Sequence, residues 1–286
     1  MPAIVLAYHS HNVVGSGYAQ NNHVAFRNDL EQLTESGWQI VGLDRIVGLL
    51  TGSANGCEGA NQRGESAEKR VALTFDDGPC YDVHDFTHPQ FGKQVSFLNL
   101  MREFQERHGK ATQPHLVGTS FVIASPQARR IIAQTYDAQT TYVEPESLDD
   151  AWWGPAIDTG LIQIANHSWD HLHPGLPRVA HSRDIRADFG AVLTVEDADA
   201  QILRAAEFIA ARTQGRSVPY FAYPFGQSNR FLVDGYFPMR GAALAHAAFS
   251  TEPRRVTRNE SRWCLPRFVC GHHWHSPAEL ATILEP

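Results

Sequence analysis

The chain has 286 residues, 43% of them hydrophobic, and a formal net charge of −7. That length and apolar content suit a globular fold with a sizeable core, and the negative balance gives no overall positive field for nucleic acid or an anionic membrane. The opening MPAIVLAYHSHN lacks the basic residues and cleavage pattern of a signal peptide, and no window is apolar enough for a membrane span. As written, the chain is expected in the cytoplasm; a chain trimmed of a leader would belong outside it.

AIVLAYH reads as a short buried strand, and FRNDLEQLTESGW as a helix carrying Phe26, Leu30 and Leu33 on one face and stopping at Gly37. QIVGLDRIVGLL is a strand running into a helix. From Ala54 to Lys69 the chain is polar, Gly-rich and aperiodic, the composition of a surface loop. RVALTF is a second buried strand, QVSFLNLMREFQERHG a helix ending at Gly109, and HLVGTSFVIAS a third strand. PQARRIIAQTY reads as a helix, followed by a long irregular piece with Trp152 and Trp153. LIQIAN is a strand that leads straight into a group of histidines. DADAQILRAAEFIAARTQG is the clearest amphipathic helix, VPYFAYPFG is strand-like, WCLPRFVCG is one more strand, and PAELATILEP a last helix.

Strands and helices alternate without a long linker, low-complexity segment or repeat, which predicts a single α/β domain over residues 1–286. Reactive groups in parallel α/β folds gather at the carboxyl ends of strands. His9, Asp76, Asp77, His167 and Pro224 each follow an apolar run, so all five are expected on one face.

RVALTFDDGP sets two carboxylates side by side at a strand end. Successive residues of an extended segment point opposite ways, so Asp76 and Asp77 can take different roles: one as ligand to a divalent cation, the other as proton acceptor. A plain Asp-Gly turn is the competing explanation. The 15 histidines fall in groups, YHSH, NHSWDHLHP and GHHWHSP, which suggest metal. His167 and His171 have the spacing that brings two imidazoles to one side of a helical turn, and Asp77 would complete a two-His, one-carboxylate set with open positions. His173 could replace His171 if the segment is not helical. Cys57, Cys80, Cys264 and Cys270 form no C-x-x-C pair and are expected to be free thiols.

TFDDG (Thr74 to Gly78), HSWDH (His167 to His171), the intervening TSFVIAS and FAYPFG (Phe221 to Gly226), in that order, resemble the landmarks of the NodB-homology polysaccharide deacetylases, carbohydrate esterase family 4. The resemblance implies a distorted (β/α) barrel and a metal-dependent hydrolase that removes acetyl groups from an N-acetylated carbohydrate. It makes Asp76 the base, Asp77, His167 and His171 the ligands of a divalent cation, most simply Zn²⁺, and the backbone near Tyr223 and Pro224 the oxyanion donor. Two departures stand out. The third motif lacks its leading Arg, as in relatives resembling biofilm poly-N-acetylglucosamine deacetylases, and Arg267 in LPRFVC is the candidate to brace the base. The C-terminal motif with the general acid is absent, and VLAYHS resembles it in the circularly permuted arrangement of those relatives, which makes His9 the acid, with His272 and His273 as rivals. Trp152, Trp153, Trp169 and Trp274 are candidate sugar platforms or core. The expected partner is an acetylated sugar or oligosaccharide. Rival functions are an amidase or imidase on a small amide with the same metal site, a catalytically silent carbohydrate-binding relative, and a metal-dependent phosphoesterase, the last disfavoured by the lack of a basic cluster near the ligands.

Overall fold

The first apolar run is buried over its whole length in β1 (Ala3–Tyr8), as expected of a parallel strand covered on both faces. The structure is a computed structural model and describes residues 3–51, 69–135 and 142–285. After β1 come β2 (Trp38–Ile40), β3 (Lys69–Phe75), β4 (Phe86–His88), β5 (Gly92–Gln94), β6 (Gly118–Val122), β7 (Ile162–Asn166), β8 (Tyr220–Ala222), β9 (Ala247–Phe249) and β10 (Phe268–Val269). The main sheet runs β10-β1-β3-β6-β7-β8-β9, with β2 also on β3, and its ladders are parallel. β4 and β5 form a separate antiparallel hairpin. The two ends of the sheet are joined by one segment: Leu265 bridges Phe249 of β9, and Phe268 and Val269 then pair with β1. This is the expected α/β barrel.

Helices α1 (Asn22–Glu35), α2 (Leu43–Thr51), α3 (Phe97–His108), α4 (Pro126–Thr135), α5 (Trp153–Asp158), α6 (Val195–Ala198), α7 (Arg204–Arg212), α8 (Phe237–Arg240) and α9 (Pro277–Leu284) accompany the strands. Sequence chemistry sets their limits: the Asn21 side chain accepts the N–H groups of His23 and Val24 at the start of α1, and Gly37 beyond its end takes φ 73°. Alternate residues of β1 serve two cores. Ile4, Leu6 and Tyr8 pack with Phe26 and Leu30 of α1 and Phe97 and Met101 of α3, whereas Ala3 and Val5 join Ala72, Phe121, Ala165, Ala222 and Phe249 on the inner side of the curl.

Several local expectations change. The stretch around Trp152 and Trp153 is not all irregular but contains α5. The predicted long helix spans α6 and α7 with a π turn, Asp199–Leu203, between them. The strand in WCLPRFVCG is only two residues long. β9, the β4–β5 hairpin and the helical run over Phe231–Tyr236 and α8 had no forecast. The polar loop expected from Ala54, and Cys57 within it, lie outside the described residues, while Lys69 already belongs to β3. Cys80, Cys264 and Cys270 are free thiols. No helix among the described residues is long and apolar enough to cross a membrane.

Candidate functional site

The carboxyl ends of β1, β3, β7 and β8 open on a cleft of about 360 Å³ whose walls include His9, Asp76, Asp77, His167, His171 and Phe225. The two adjacent carboxylates separate at a backbone reversal. Asp76 still pairs as a strand residue, its N–H donating to the Tyr8 carbonyl at 3.0 Å, but Asp77 turns left-handed at φ 71° and Gly78 follows at φ 70°. A Cβ on Gly78 would come within 2.9 Å of the Val122 backbone, so glycine is required there on two counts.

Asp76 points to Arg267. The guanidinium donates from Nη1 to Oδ1 and from Nη2 to Oδ2, both at 2.8 Å, the two-pronged geometry that suits a carboxylate. Arg267 is itself fixed by donating from Nε to the Ser250 carbonyl at 3.0 Å and from Nη1 to Thr74 Oγ1 at 3.1 Å, and it is fully buried. Burial, the largest single influence, would raise the Asp76 carboxyl; the charge and hydrogen bonds of Arg267, joined by His167 and His9, together outweigh it and hold the group below the usual carboxylate range.

Asp77 points the other way. One ligand atom from each of Asp77, His167 and His171 lies within 4.8 Å of the others, and all three residues are buried. Asp77 Oδ1 is 3.5 Å from Nε2 of both histidines. His167 Nδ1 lies 2.9 Å from the Ala222 carbonyl; a carbonyl only accepts, so Nδ1 carries a proton and a neutral ring turns its Nε2 lone pair toward Asp77. Two imidazoles gathered on one buried carboxylate make a donor set that fits a divalent cation such as zinc. Burial lowers His171 to about 3, which keeps it neutral as a ligand must be. Burial opposes charge on Asp77 as well, yet His167 and the other histidines around it hold its carboxyl well below the usual range.

The two histidines meet by a route other than the expected helical turn. Residues after β7 form a loop with Ser168 at φ 74°, His171 at φ 62° and Leu172 at φ 44°. Eight non-glycine residues have positive φ among the described ones; Asp77, His171 and Phe225 of this cleft, and Ser168 and Leu172 of the buried loop behind it, are five of them. Such strain persists where surrounding contacts over-determine the backbone, and here they do. Asn166 Oδ1 accepts from Ser168 N–H at 2.8 Å, and Ser168 Oγ from His171 N–H at 2.9 Å. Asp170 accepts from Leu172 N–H at 3.0 Å and Ala180 N–H at 2.6 Å. Gln201, in the π turn, donates from Nε2 to Asp170 Oδ1 at 2.7 Å while its carbonyl accepts Trp169 N–H at 2.7 Å. The carbonyl of Ile202 in the same turn accepts from Asn166 Nδ2 at 2.9 Å. The π turn, with its shifted pairing, thus grips the histidine loop at three points.

His9 follows β1 and lines the cleft; its N–H donates to Asn22 Oδ1 at 2.8 Å, and its Nδ1 is buried without a hydrogen-bond partner. Of the rivals, His272 also lines the cleft, whereas His273 Nδ1 accepts from Val269 N–H at 2.8 Å within its own turn. His173 is at the cleft wall, its Nδ1 accepting from Gly175 N–H at 3.1 Å, and does not join the ligand cluster.

Two expectations need correction. The Tyr223 N–H donates to the Phe249 carbonyl at 2.9 Å, and its buried hydroxyl donates to the Trp263 carbonyl at 2.7 Å, so neither faces a reacting oxygen. Pro224 has no N–H to offer, although it does line the cleft. The tryptophans are not cleft platforms. Trp152, Trp153 and Trp274 are buried in the core, and Trp169 is covered by the Arg204 guanidinium at 3.6 Å. The aromatic ring at the cleft is Phe225, 42% exposed and edge-on to His171 at 4.4 Å. Sequence reasoning also assigned no role to His11, which is buried with Nε2 3.5 Å from Asp77 Oδ2; its signal was the HSH triplet that also holds His9.

Comparison with known proteins comes from two directions. The polysaccharide deacetylase family model matches residues 118–236, which takes in His167, His171 and Pro224 but stops short of the Asp76–Asp77 pair, His9 and Arg267. No curated protein matches the chain in sequence. Among solved structures, IcaB from Ammonifex degensii is similar with a TM-score of 0.60 at 15% identity, over 100% of this chain and 97% of its own. A de-N-acetylase from Aggregatibacter actinomycetemcomitans aligns with a TM-score of 0.61 at 14% identity, over 99% and 100%. The Streptococcus pyogenes deacetylase PplD, in complex with acetate, gives 0.60 at 14%, over 100% and 99%. The polysaccharide deacetylase match thus covers residues 118–236, and over the rest of the chain the similarity to NodB-type deacetylases is one of fold.

Proposed function

We propose that the chain, acting as one catalytic domain over residues 1–286, hydrolyses the acetamide of an N-acetylated sugar or oligosaccharide with the help of a divalent cation. The observation that carries the reading is the opposed setting of two neighbouring carboxylates, Asp76 locked to Arg267 and Asp77 turned to His167 and His171, at the floor of one cleft. Asp77, His167 and His171 would hold the cation, zinc by the character of the donors, and when bound it supplies Lewis-acid polarisation of the carbonyl and a more acidic water. Asp76, kept ionised by Arg267, takes the proton from the attacking water as its oxygen adds to the carbonyl carbon. His9 gives a proton to the sugar nitrogen as the carbon–nitrogen bond breaks, and acetate and a free amine leave. The oxyanion donor passes from Tyr223, whose N–H is committed, to Phe225, the next residue along the turn with an N–H.

A phosphoester substrate fits poorly, since neither Lys nor Arg lines the cleft. The fold's likeness to a de-N-acetylase and to a deacetylase in complex with acetate supports the acetyl reading. The test is acetate release from a panel of N-acetylated and O-acetylated sugars and oligosaccharides, with a small cyclic imide and a simple amide as further substrates, before and after chelation and zinc return. Chelator-sensitive release from an acetylated sugar is expected. Turnover confined to the imide or amide would reassign the substrate, and binding of sugar without turnover by the zinc-loaded protein would make it a carbohydrate-binding relative.

A further inference from the structure

Asp77 uses only one of its oxygens toward the clustered histidines. Oδ1 faces His167 and His171, and Oδ2 faces His11 Nε2, each at 3.5 Å. His11 is 3% exposed and does not line the cleft, so substrate does not reach it. Its place is fixed by the backbone around it: the His11 carbonyl accepts N–H groups from Val13 at 3.0 Å and Tyr142 at 2.9 Å, and the preceding Ser10 donates its hydroxyl to the buried Asp82 at 2.6 Å. A side chain anchored on both flanks and directed at the outer oxygen of a ligand carboxylate has the position from which outer partners orient metal ligands.

We propose that His11 is a positioning residue for the metal centre, donating its Nε2 proton to Asp77 Oδ2 and so holding Asp77 in one-oxygen presentation to the cation. This inference rests on the metal reading given above. Asp77 occupies a left-handed backbone position at φ 71°, and its carboxylate would otherwise be free to rotate and offer both oxygens. With Oδ2 engaged, only Oδ1 is directed to the point shared with the two imidazoles, which leaves coordination positions for water and a substrate carbonyl. His11 therefore acts on affinity and on coordination number together.

The test is zinc affinity of the full chain, measured by competition with a chromophoric chelator, alongside the thermal midpoint of the metal-free protein. His11→Leu keeps bulk and removes the donor; His11→Gln keeps an N–H donor near the same reach. Loss of such an outer partner typically weakens metal binding about 10- to 100-fold. His11→Leu is expected to weaken zinc binding in that range, while His11→Gln stays within a few-fold of the parent and the metal-free midpoints of both stay close to it. Parent-like affinity in His11→Leu, or equal weakening in both variants with lowered metal-free midpoints, overturns the proposal. Should His11→Leu not fold, His11→Asn, whose amide falls short of Asp77, replaces it against His11→Gln with the same expectations. Asp77→Asn separates the two levels: if the parent binds no zinc, or Asp77→Asn binds it as tightly, the metal reading itself falls, whereas loss in Asp77→Asn with no effect of His11→Leu removes only the role of His11.

Discussion

Arg267 and Asp76 are far apart in sequence and joined in space by two parallel hydrogen bonds of 2.8 Å each, with both side chains out of solvent. Lysine is a point charge and cannot occupy both oxygens. The charge would remain but part of the hydrogen bonding would be lost, so the balance against burial would tip and the Asp76 carboxyl would move upward, protonation silencing it at a higher pH. Arg267→Lys is expected to shift the acidic limb of the kcat/KM profile to higher pH and to cut the plateau by at least about tenfold. An unmoved limb in a folded variant would detach Arg267 from the base.

Asp76→Asn should retain near-normal zinc and lose at least the roughly hundredfold in turnover typical of a missing general base. Metal content by elemental analysis, measured beside acetate release, is the check. Substantial turnover in the metal-loaded variant would place the base elsewhere.

For His9 the informative quantity is selectivity. Histidine is the side chain most often used to give or take a proton in catalysis. His9→Ala should lose most activity on an acetamide, whose amine leaves badly without a proton, and least on an activated aryl acetate. Equal losses on both would indicate a structural role, and full activity would pass the task to His272, which shares the cleft.

The grip of the π turn on the histidine loop can be tested at Gln201, whose Nε2 donates to both Asp170 Oδ1 and the Ala180 carbonyl. Gln201→Ala leaves those buried acceptors short of a partner, a loss of about 1–3 kcal/mol in stability. Urea unfolding of the metal-free protein should register it, and zinc affinity should fall as Ser168, His171 and Leu172 relax from their left-handed angles.

Asp29 offers a pH test remote from the cleft. Its buried carboxyl accepts from Tyr8, Tyr18 and Trp274, and burial, stronger than those bonds, raises it from 3.8 to about 7. Between those values the native state holds a proton that the unfolded chain has released. Stability should therefore be highest below pH 4 as far as this group is concerned, and fall as pH rises toward 7, by at most about 1.4 kcal/mol per pH unit. Asp29→Asn should remove that part of the slope in urea midpoints measured from pH 5 to 8; an unchanged slope would mean that Asp29 is already ionised.

What the sequence disclosed follows the physics of each element. Parallel strands buried on both faces read as unbroken apolar runs, and β1, β3 and β7 were legible for that reason. β9 was not, because Ala247 and Phe249 face the inner side of the curl while Ala248 packs in a separate core, and two successive alanines look helical in isolation. The candidate ligands followed from residue type and order. The loop that unites them did not, since its left-handed turns are held by Asp170 within the motif together with Gln201 from the π turn outside it. Arg267 was within reach of the sequence only through the missing Arg of FAYPFG, and His11 only through its place beside His9.

The segment that pairs with both β9 and β1 is also the one that carries Arg267, and it follows every other strand of the main sheet in the order of synthesis. A nascent chain can present Asp77, His167 and His171 long before then, because domains form from the N-terminal side as synthesis proceeds. Until that segment emerges, however, β1 lacks one neighbour and Asp76 lacks its counter-charge. Closure of the barrel and charging of the base are thus one event, and a chain interrupted before Leu265 would hold the ligand set while lacking the group that keeps Asp76 ionised.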